Sequence, residues 1–258
     1  MFKDYLSNNI ITFPNYQDKV LYNLSTDNSN KIEYRMNEHG YRSNSLSKDG
    51  TPKILTLGCS WTMGVGVEND KIWPNLIGNK FQDSVVCNYG MYGTSTEFLA
   101  KQYSKIIDSG YEPDIVLILW PGFSRRDYLD EKGRHIKLFG WRTAYHQDPV
   151  SKGRPDIDLA FVTLQNDYQD LNVFWSSYKF VQSVTPKNTK IFHSIAGYYY
   201  KIFDEHFDLI KKFVDLNNFF IPTDCYENDK GAIDGSHPSS VWHTKFSNQF
   251  YNFIEDSC

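Results

Sequence analysis

The stretch KILTLGCSWTMGVGV at residues 53–67 decides the fold of this chain. Its first six residues form a short apolar run that ends in glycine, a pattern typical of a buried strand in a parallel sheet. The chain then turns at once through Gly-Cys-Ser-Trp-Thr, which a simple turn does not need. Ser60 is therefore a candidate nucleophile above the sheet, with backbone amides forming an anion-binding nest around it. Taken alone, a serine that caps the next helix is the simpler explanation.

The rest of the chain alternates apolar runs with amphipathic segments. Further strands are predicted at residues 84–90, 113–120, 190–197 and 218–223. Helices are predicted at residues 69–81, 94–110, 171–184, 203–216 and 239–256. Strands alternating with helices at this spacing predict an α/β fold, with a parallel sheet covered on both faces. Such sheets bind ligands at the carboxyl ends of their strands, so the loops that follow the strands are the ones that matter for function.

The 258 residues are interpreted as a single domain, because this length suffices for one sizeable core. Residues 1–50 are polar and rich in asparagine, and they predict an irregular lead-in with short strands. Residues 121–170 are charged, aromatic and rich in glycine, which breaks the alternation. A structureless loop of this length inside a compact domain is usually functional or has its own small fold. This segment is predicted to be an insert near the candidate site and to determine specificity.

Composition excludes several classes of function. The net charge is −4 and no long basic run occurs, so nucleic acid is not an expected partner. No membrane partner is expected either, since no run approaches the ~18 apolar residues of a membrane helix. The N-terminus lacks the apolar core of a signal peptide, so the expected location is cytoplasmic. No cysteine forms a CxxC pair, which favours reduced thiols over a zinc site or a disulfide framework. No cofactor and no metal are expected, and the oligomeric state is open.

Two further loops carry residues suited to chemistry. The stretch NYGMYGTST at residues 88–96 has glycines three apart, which let backbone amides point into the crevice. The stretch DGSHPS at residues 234–239 places Asp234 and His237 three residues apart. A serine nucleophile needs a base, and the base needs a carboxylate that holds its tautomer. Each motif also has an ordinary explanation, namely a tight turn with a helix cap or a surface histidine.

Together, LGCSWTMGVGV, NYGMYGTST, PDIVLILW and DGSHPS resemble the sequence blocks of the SGNH (GDSL-type) hydrolase superfamily, a group of serine esterases and acylhydrolases. NEHGYRSN at residues 37–44 and IWPNL at residues 72–76 resemble its bacterial or phage-like branch. The resemblance implies a three-layer α/β/α sandwich with a parallel, flavodoxin-like, five-stranded sheet. It also implies that Ser60 is the nucleophile and the first oxyanion donor, Gly93 the second donor, His237 the base and Asp234 its partner, without a metal.

The chain departs from the family pattern at two places. Cys59 stands where the family has aspartate, for which a local packing change is expected. The third block reads LWPGFSRRDYLD at residues 119–130 and lacks the asparagine that supplies the third oxyanion donor in the family. Ser124, Arg125 or Arg126 is expected to take its place, an arginine as a charged donor or as a ligand for an anionic substrate group. An unreplaced donor costs about 3 kcal/mol in the transition state.

Substrate contacts are predicted for Trp61, Arg126, Trp141 and Tyr145, because aromatic rings beside an arginine suit stacking on sugars. A satellite hydrophobic cluster under the insert is the alternative for the aromatic residues. The predicted function is a serine esterase that hydrolyses small acyl esters through an acyl-enzyme on Ser60, with O-acetyl groups on carbohydrate as the candidate substrate. The alternatives are an O-acyltransferase on the same triad and a catalytically altered carbohydrate-binding protein.

Overall fold

The computed structural model of the protein describes residues 17, 19–24, 31–46, 49, 51–129, 135–139, 155–196, 206–223 and 231–257. Its strands, in chain order, are β1 (Val20–Leu24), β2 (Lys31–Arg35), β3 (Lys53–Gly58), β4 (Val85–Gly90), β5 (Ile115–Trp120), β6 (Arg125–Leu129), β7 (His135–Phe139) and β8 (Lys190–Ile195). Its α-helices are α1 (Ser60–Met63), α2 (Trp73–Gly78), α3 (Thr96–Asp108), α4 (Pro155–Leu164), α5 (Asp167–Val184), α6 (Phe207–Ile210) and α7 (Ser240–Asp256). A 3₁₀ turn at Asn69–Lys71 precedes α2.

The central sheet is parallel and has the spatial order β4-β3-β5-β8. Numbered by their order along the chain, these strands run 2-1-3-4, which matches the start of the flavodoxin-like order. The register of β3 and β4 places Gly58 opposite Gly90 at their carboxyl ends. The loops that follow these strands therefore begin side by side, as the sequence predicts for a site at this edge.

Helices cover both faces of the sheet. Alternate residues of β5 enter two different hydrophobic clusters. Val116, Ile118 and Trp120 join the cluster formed with α3 and α5. Ile115, Leu117 and Leu119 join the cluster formed with α2 and α7. The period of two along a strand thus explains why a continuous apolar run is needed for a sheet that is buried on both sides.

The predicted fifth strand at residues 218–223 is wrong as a strand, and the regular sheet has four strands. Only one parallel bridge forms, in which the His193 amide donates to the Asn218 carbonyl and the Phe220 amide donates to the His193 carbonyl, both at 2.8 Å. Pro222 lacks the amide that a longer ladder requires. The next amide, of Thr223, donates to the side chain of Gln249 in α7 instead.

The helix predictions differ in accuracy. The sequence offers Thr94 or Ser95 as the cap of α3, and in the structure Ser95 caps the helix by accepting a hydrogen bond from the amide of Phe98 at 3.1 Å. Ser239 caps α7 in the same way, through the amides of Val241 and Trp242. In the predicted helix at 203–216, the described residues contain only the single turn of α6, followed by turns.

Two antiparallel strand pairs lie outside the central sheet. The lead-in contains β1 paired with β2, so it holds the short strands predicted for it. The segment 121–170 contains β6 paired with β7, then α4 and the start of α5. Within the described ranges, the helices are too short or too polar to cross a bilayer. That the whole chain is one domain stays a prediction.

Candidate active site

Ser60 lies at the start of α1, a four-residue helix that follows β3 directly. The helix lies against the ends of two strands at a distance that only glycine permits there. A Cβ atom at Gly58 would be 1.9 Å from Oγ1 of Thr62, and one at Gly90 would be 2.5 Å from the backbone nitrogen of Met63. We call this contact between α1 and the two glycines the glycine seam. It fixes the backbone of the candidate nucleophile relative to the sheet.

The side chain of Asn88, in β4, links this strand to α1 through hydrogen bonds. Its Oδ1 accepts hydrogen bonds from the Gly90 amide at 3.0 Å and from the Thr56 hydroxyl at 3.2 Å. Its Nδ2 donates to the Thr62 carbonyl at 2.9 Å. The side chain is buried, so these bonds are shielded from water. Sequence reasoning gave this loop a role for its glycines and missed Asn88, although the residue opens the quoted motif.

Asp234 and His237 form a close pair. Oδ2 of Asp234 lies 2.6 Å from Nδ1 of His237. Oδ1 of Asp234 accepts from the amides of Ser236 at 3.0 Å and His237 at 3.1 Å. Burial alone would raise the pKa of Asp234, but hydrogen bonds from the His237 ring and from these amides hold it below its ordinary value. An ionised Asp234 favours the proton on Nδ1, which leaves the Nε2 lone pair to act as a base.

The loop that carries this pair lies against the turn that follows α1. The amide of Ile233 donates to the Gly66 carbonyl at 3.2 Å. A Cβ atom at Gly66 would be 2.7 Å from Cβ of Ala232 and 3.3 Å from Oδ1 of Asp234, and Gly66 has φ +79°. Gly66 is therefore the point where the nucleophile segment and the acid–base loop meet. The structure brings these loops together, while the catalytic roles of Ser60, Asp234 and His237 stay predictions.

Gly93, the predicted second oxyanion donor, has the left-handed backbone angle φ +70°. The next residue, Thr94, anchors this loop by donating from Oγ1 to the Gly58 carbonyl at 3.3 Å. Arg125 reaches the same loop, since its Nη1 donates to the Thr94 carbonyl at 3.4 Å. Ser124 is half-buried in the turn before Arg125. Of the residues predicted to replace the missing asparagine, Arg125 is thus tied to the Gly93 loop directly.

Arg126 has internal partners. It forms ion pairs with Asp170 and with Glu97, and it donates to the carbonyls of Phe123 and Arg125. Its side chain is only 13% exposed. It also lines a cavity of about 460 Å³ whose other walls include Leu138, Ile157, Phe161 and Leu164. These contacts explain Arg126 as an anchor between β6, α3 and α5, and substrate contact at this residue stays a prediction.

The other predicted substrate residues have different outcomes. Trp61 is 8% exposed and packs edge-on against Trp242 with ring centroids 4.9 Å apart, which is a core contact. Trp141 and Tyr145 lie outside the described residues. Tyr92, which sequence reasoning missed, is 47% exposed beside Gly93, and Nζ of Lys137 lies 5.1 Å from its ring centroid. An aromatic residue between the two glycines of the loop was the available signal.

Cys59 explains how the chain does without the aspartate of the family pattern. Its side chain is buried in the cluster of α2 and α7 and makes no capping hydrogen bond. Its carbonyl accepts from the amides of Thr62 and Met63, both at 3.0 Å, so the backbone alone begins α1. The side chains of Cys59 and Cys87 are buried, and the other two cysteines lie outside the described residues. The described part of the chain contains no metal-binding group of His, Cys, Asp or Glu.

His243 lies in α7, and its Nδ1 accepts from the Trp73 amide at 3.1 Å. Its Nε2 is buried and finds no hydrogen-bond partner among the described residues. Burial lowers the pKa of His243 to about 3, and the positive charge of Arg42 contributes to this shift. The folded protein therefore holds this imidazole neutral in mildly acidic solution, in which the unfolded chain binds a proton.

The variant His243→Gln is expected to resist acid better than the parent protein. Glutamine keeps an acceptor for the Trp73 amide and removes the titrating group. Below the ordinary histidine pKa of about 6.5, the unfolded state binds a proton that the folded state does not. The free energy of unfolding of the parent therefore decreases as the pH is lowered, by up to about 1.4 kcal/mol per pH unit. Urea unfolding at pH 6.5 and pH 5 measures this difference. The parent is expected to lose about 2 kcal/mol more than the variant, and equal losses in both would contradict the assignment.

Comparison with known proteins adds the fold family. No protein-family model matches the sequence, and no curated protein is similar to it at the sequence level. A family two carbohydrate esterase from Clostridium thermocellum, solved with cellohexaose, is similar in structure with a TM-score of 0.51 and 12% identity, over 81% of this chain and 65% of that one.

Two further solved structures are similar at lower TM-scores. An acetyl xylan esterase from Butyrivibrio proteoclasticus has a TM-score of 0.49 and 11% identity, over 81% of this chain and 65% of that one. A member of the lipolytic G-D-S-L family from Veillonella parvula has a TM-score of 0.46 and 11% identity, over 78% and 96%. The chain thus spans about two thirds of the length of the two carbohydrate esterases. Its structural neighbours are esterases of the SGNH/GDSL family, and the chain has the α/β fold of that family, with a four-stranded parallel sheet flanked by helices.

Proposed function

We propose that the protein is a serine esterase that hydrolyses small acyl esters through an acyl-enzyme on Ser60. The observation that carries the proposal is the Asp234–His237 pair at 2.6 Å, on a loop that hydrogen-bonds to the turn after α1. An aspartate held by two amides and a histidine is the arrangement that orients a general base. The glycine seam supports the proposal, because it holds the serine backbone at the same edge of the sheet.

The reaction proceeds in two stages. Oγ of Ser60 attacks the ester carbonyl while Nε2 of His237 accepts the hydroxyl proton, and Asp234 stabilises the imidazolium. The tetrahedral intermediate collapses, His237 returns the proton to the leaving alcohol oxygen, and the acyl group stays on Ser60. Water then attacks the acyl-enzyme with His237 again as base, which releases the carboxylic acid and restores the serine hydroxyl.

The oxyanion is stabilised by the backbone amides of Ser60 and Gly93. Arg125 takes the place of the missing asparagine, since its guanidinium reaches the carbonyl of Thr94 next to Gly93. A guanidinium is a charged donor, and hydrogen bonds from a charged donor are about twice as strong as neutral ones. The site therefore has a candidate for the third donor whose loss costs about 3 kcal/mol.

The proposed substrate class is O-acetyl esters on carbohydrate. Tyr92 supports it, because an exposed aromatic ring next to the oxyanion loop offers a surface on which a sugar ring can stack. The family two carbohydrate esterase that shares the fold was solved with cellohexaose, which supports a carbohydrate ligand at the level of the fold.

The test is covalent labelling with a fluorophosphonate, run beside hydrolysis of p-nitrophenyl acetate. We expect labelling at Ser60, located by peptide mass, and turnover of the ester by the same sample. Ser176→Ala, which changes an exposed serine on α5, is the matched control and is expected to behave like the parent. Ser60→Ala is expected to lose both signals. A parent protein that takes up no probe and turns over no ester would overturn the proposal.

A further inference from the structure

The lead-in supplies a buried arginine to the segment that carries Ser60. Nη1 of Arg42 donates to the carbonyl of Gly64 at 2.7 Å and to that of Met63 at 3.3 Å. Its Nη2 donates to the carbonyl of Val67 at 2.9 Å. The side chain is buried, and its guanidinium stays protonated at neutral pH although burial lowers its pKa to about 10. A single charged group thus satisfies the carbonyls at the end of α1 and in the turn after it.

Tyr34 supports the same turn from β2. The guanidinium carbon of Arg42 lies 4.2 Å from the centroid of the Tyr34 ring, a cation–π contact. The Tyr34 hydroxyl accepts a hydrogen bond from the amide of Gly66 at 2.7 Å. The ring is buried, so both contacts lie in a shielded environment where they are strong. We call Arg42 and Tyr34 together the lead-in clamp.

The clamp reaches the acid–base pair through one residue. Gly66 donates its amide to Tyr34 and accepts with its carbonyl from the amide of Ile233, the residue before Asp234. The same glycine lies next to the Asp234 carboxylate, because a Cβ atom added there would be 3.3 Å from Oδ1. A shift of the turn is therefore transmitted to the acid–base loop as well as to α1.

We propose that Arg42 and Tyr34 are positioning residues, which fix the turn at residues 64–67 and thereby set the geometry between Ser60 and His237. The inference rests on the esterase function proposed above for its kinetic consequences, and on the hydrogen bonds of Gly66 for its structural ones. Neither residue touches the substrate; each acts through backbone groups. Misplacing a catalytic group by about 1 Å costs about 100-fold in rate, so a small relaxation of the turn is enough to be measured.

The test uses Tyr34→Phe and Arg42→Lys. Phenylalanine keeps the ring under Arg42 and removes the acceptor of the Gly66 amide, while lysine keeps the charge and loses the planar fork. The matched control is Tyr103→Phe, which removes another buried hydroxyl, bonded to Thr185 at 3.1 Å, from α3. The kcat and KM of each variant are measured at low temperature, after circular dichroism has shown that the variant is folded.

The expected result is a fall in kcat of roughly 10- to 100-fold for both clamp variants, with KM within about twofold of the parent. The control is expected to lose stability and to keep its kcat. A role in stability alone would leave kcat of the folded variants unchanged, so clamp variants with the kcat of the control would overturn the proposal.

A second measurement does not depend on activity. Amide hydrogen exchange, followed by NMR, reports the hydrogen bonds of Gly66 and Ile233 directly. Faster exchange at both amides in Tyr34→Phe, with no change in the control, is expected even from a protein that hydrolyses no ester. Unchanged exchange at Ile233 would overturn the link to the acid–base loop. An inert parent protein with the expected exchange would overturn the esterase function and leave the clamp standing.

Discussion

Alanine at Ser60 and alanine at His237 are each expected to lower kcat for an unactivated acetyl ester by roughly 10⁶, and the double variant is expected to lose no more. In the proposed mechanism the two residues act as one unit, since the serine is not a nucleophile without a base and the base has no function without the serine. Subtilisin shows this non-additive pattern, with a smaller loss of roughly 10⁴ for its aspartate alone. Steady-state kinetics of the three variants measure it.

Asp234→Asn is expected to lower kcat by roughly 10⁴, which is less than the loss in the alanine variants of Ser60 and His237, and by a different mechanism. The asparagine amide would donate to Nδ1 of His237, so the proton would move to Nε2 and the lone pair that accepts the serine proton would be lost. Asp208→Asn removes an exposed carboxylate that pairs with Lys211 and is the matched control. A loss at Asp234 no greater than that at Asp208 would show that the carboxylate does not orient His237.

Gly90→Ala is expected to be the most damaging single methyl group in the sheet. Its Cβ would be 2.5 Å from the Met63 nitrogen and 2.7 Å from the Thr62 carbonyl carbon, and these backbone atoms cannot turn away. Either α1 lifts off the strand ends or β4 shifts. We expect a loss of about 3 kcal/mol in the free energy of unfolding, as for an overpacked core. We also expect kcat to fall about 100-fold because Ser60 moves with α1.

Gly110→Ala is the control for Gly90→Ala, because it introduces backbone strain without a steric clash. Gly110 has φ +83°, and a Cβ atom there would have no neighbouring atom within 4 Å, so alanine costs only the left-handed conformation. That cost is about 1 kcal/mol. The kcat of this variant is expected to equal that of the parent. Urea unfolding and ester hydrolysis of both variants provide the comparison, and a Gly90→Ala protein as active as Gly110→Ala would contradict the glycine seam.

Local patterns predicted what depends on local physics. The strands β3, β4, β5 and β8 follow from apolar runs, because a strand covered on both faces has apolar residues on both of them. A cap at Thr94 or Ser95 follows from the polar residues before the helix, and the structure selects Ser95. The approach of Asp234 to His237 follows from a three-residue spacing within one loop.

Contacts between residues far apart in the chain could not be predicted from the sequence. Arg42 binds backbone carbonyls 21 to 25 residues away. Every residue has a backbone carbonyl, so the sequence does not indicate which ones an arginine will bind. The sequence did not predict that Arg126 pairs with the carboxylates of Glu97 and Asp170, because these lie on two different helices. The prediction of a strand at 218–223 was wrong because Pro222 has no amide for a ladder and the Thr223 amide donates to Gln249 of α7. The apolar run itself does not reveal the contact with Gln249.

The N-terminal hairpin has a consequence for where the functional unit begins. A boundary drawn at the first strand of the central sheet, residue 53, would retain Ser60, Asp234, His237 and the four parallel strands. It would nevertheless remove the Arg42 guanidinium and the Tyr34 phenol, which hydrogen-bond to the turn after α1. A protein truncated at residue 53 would thus keep the predicted catalytic residues and lose the two side chains that hold the turn after Ser60 in place.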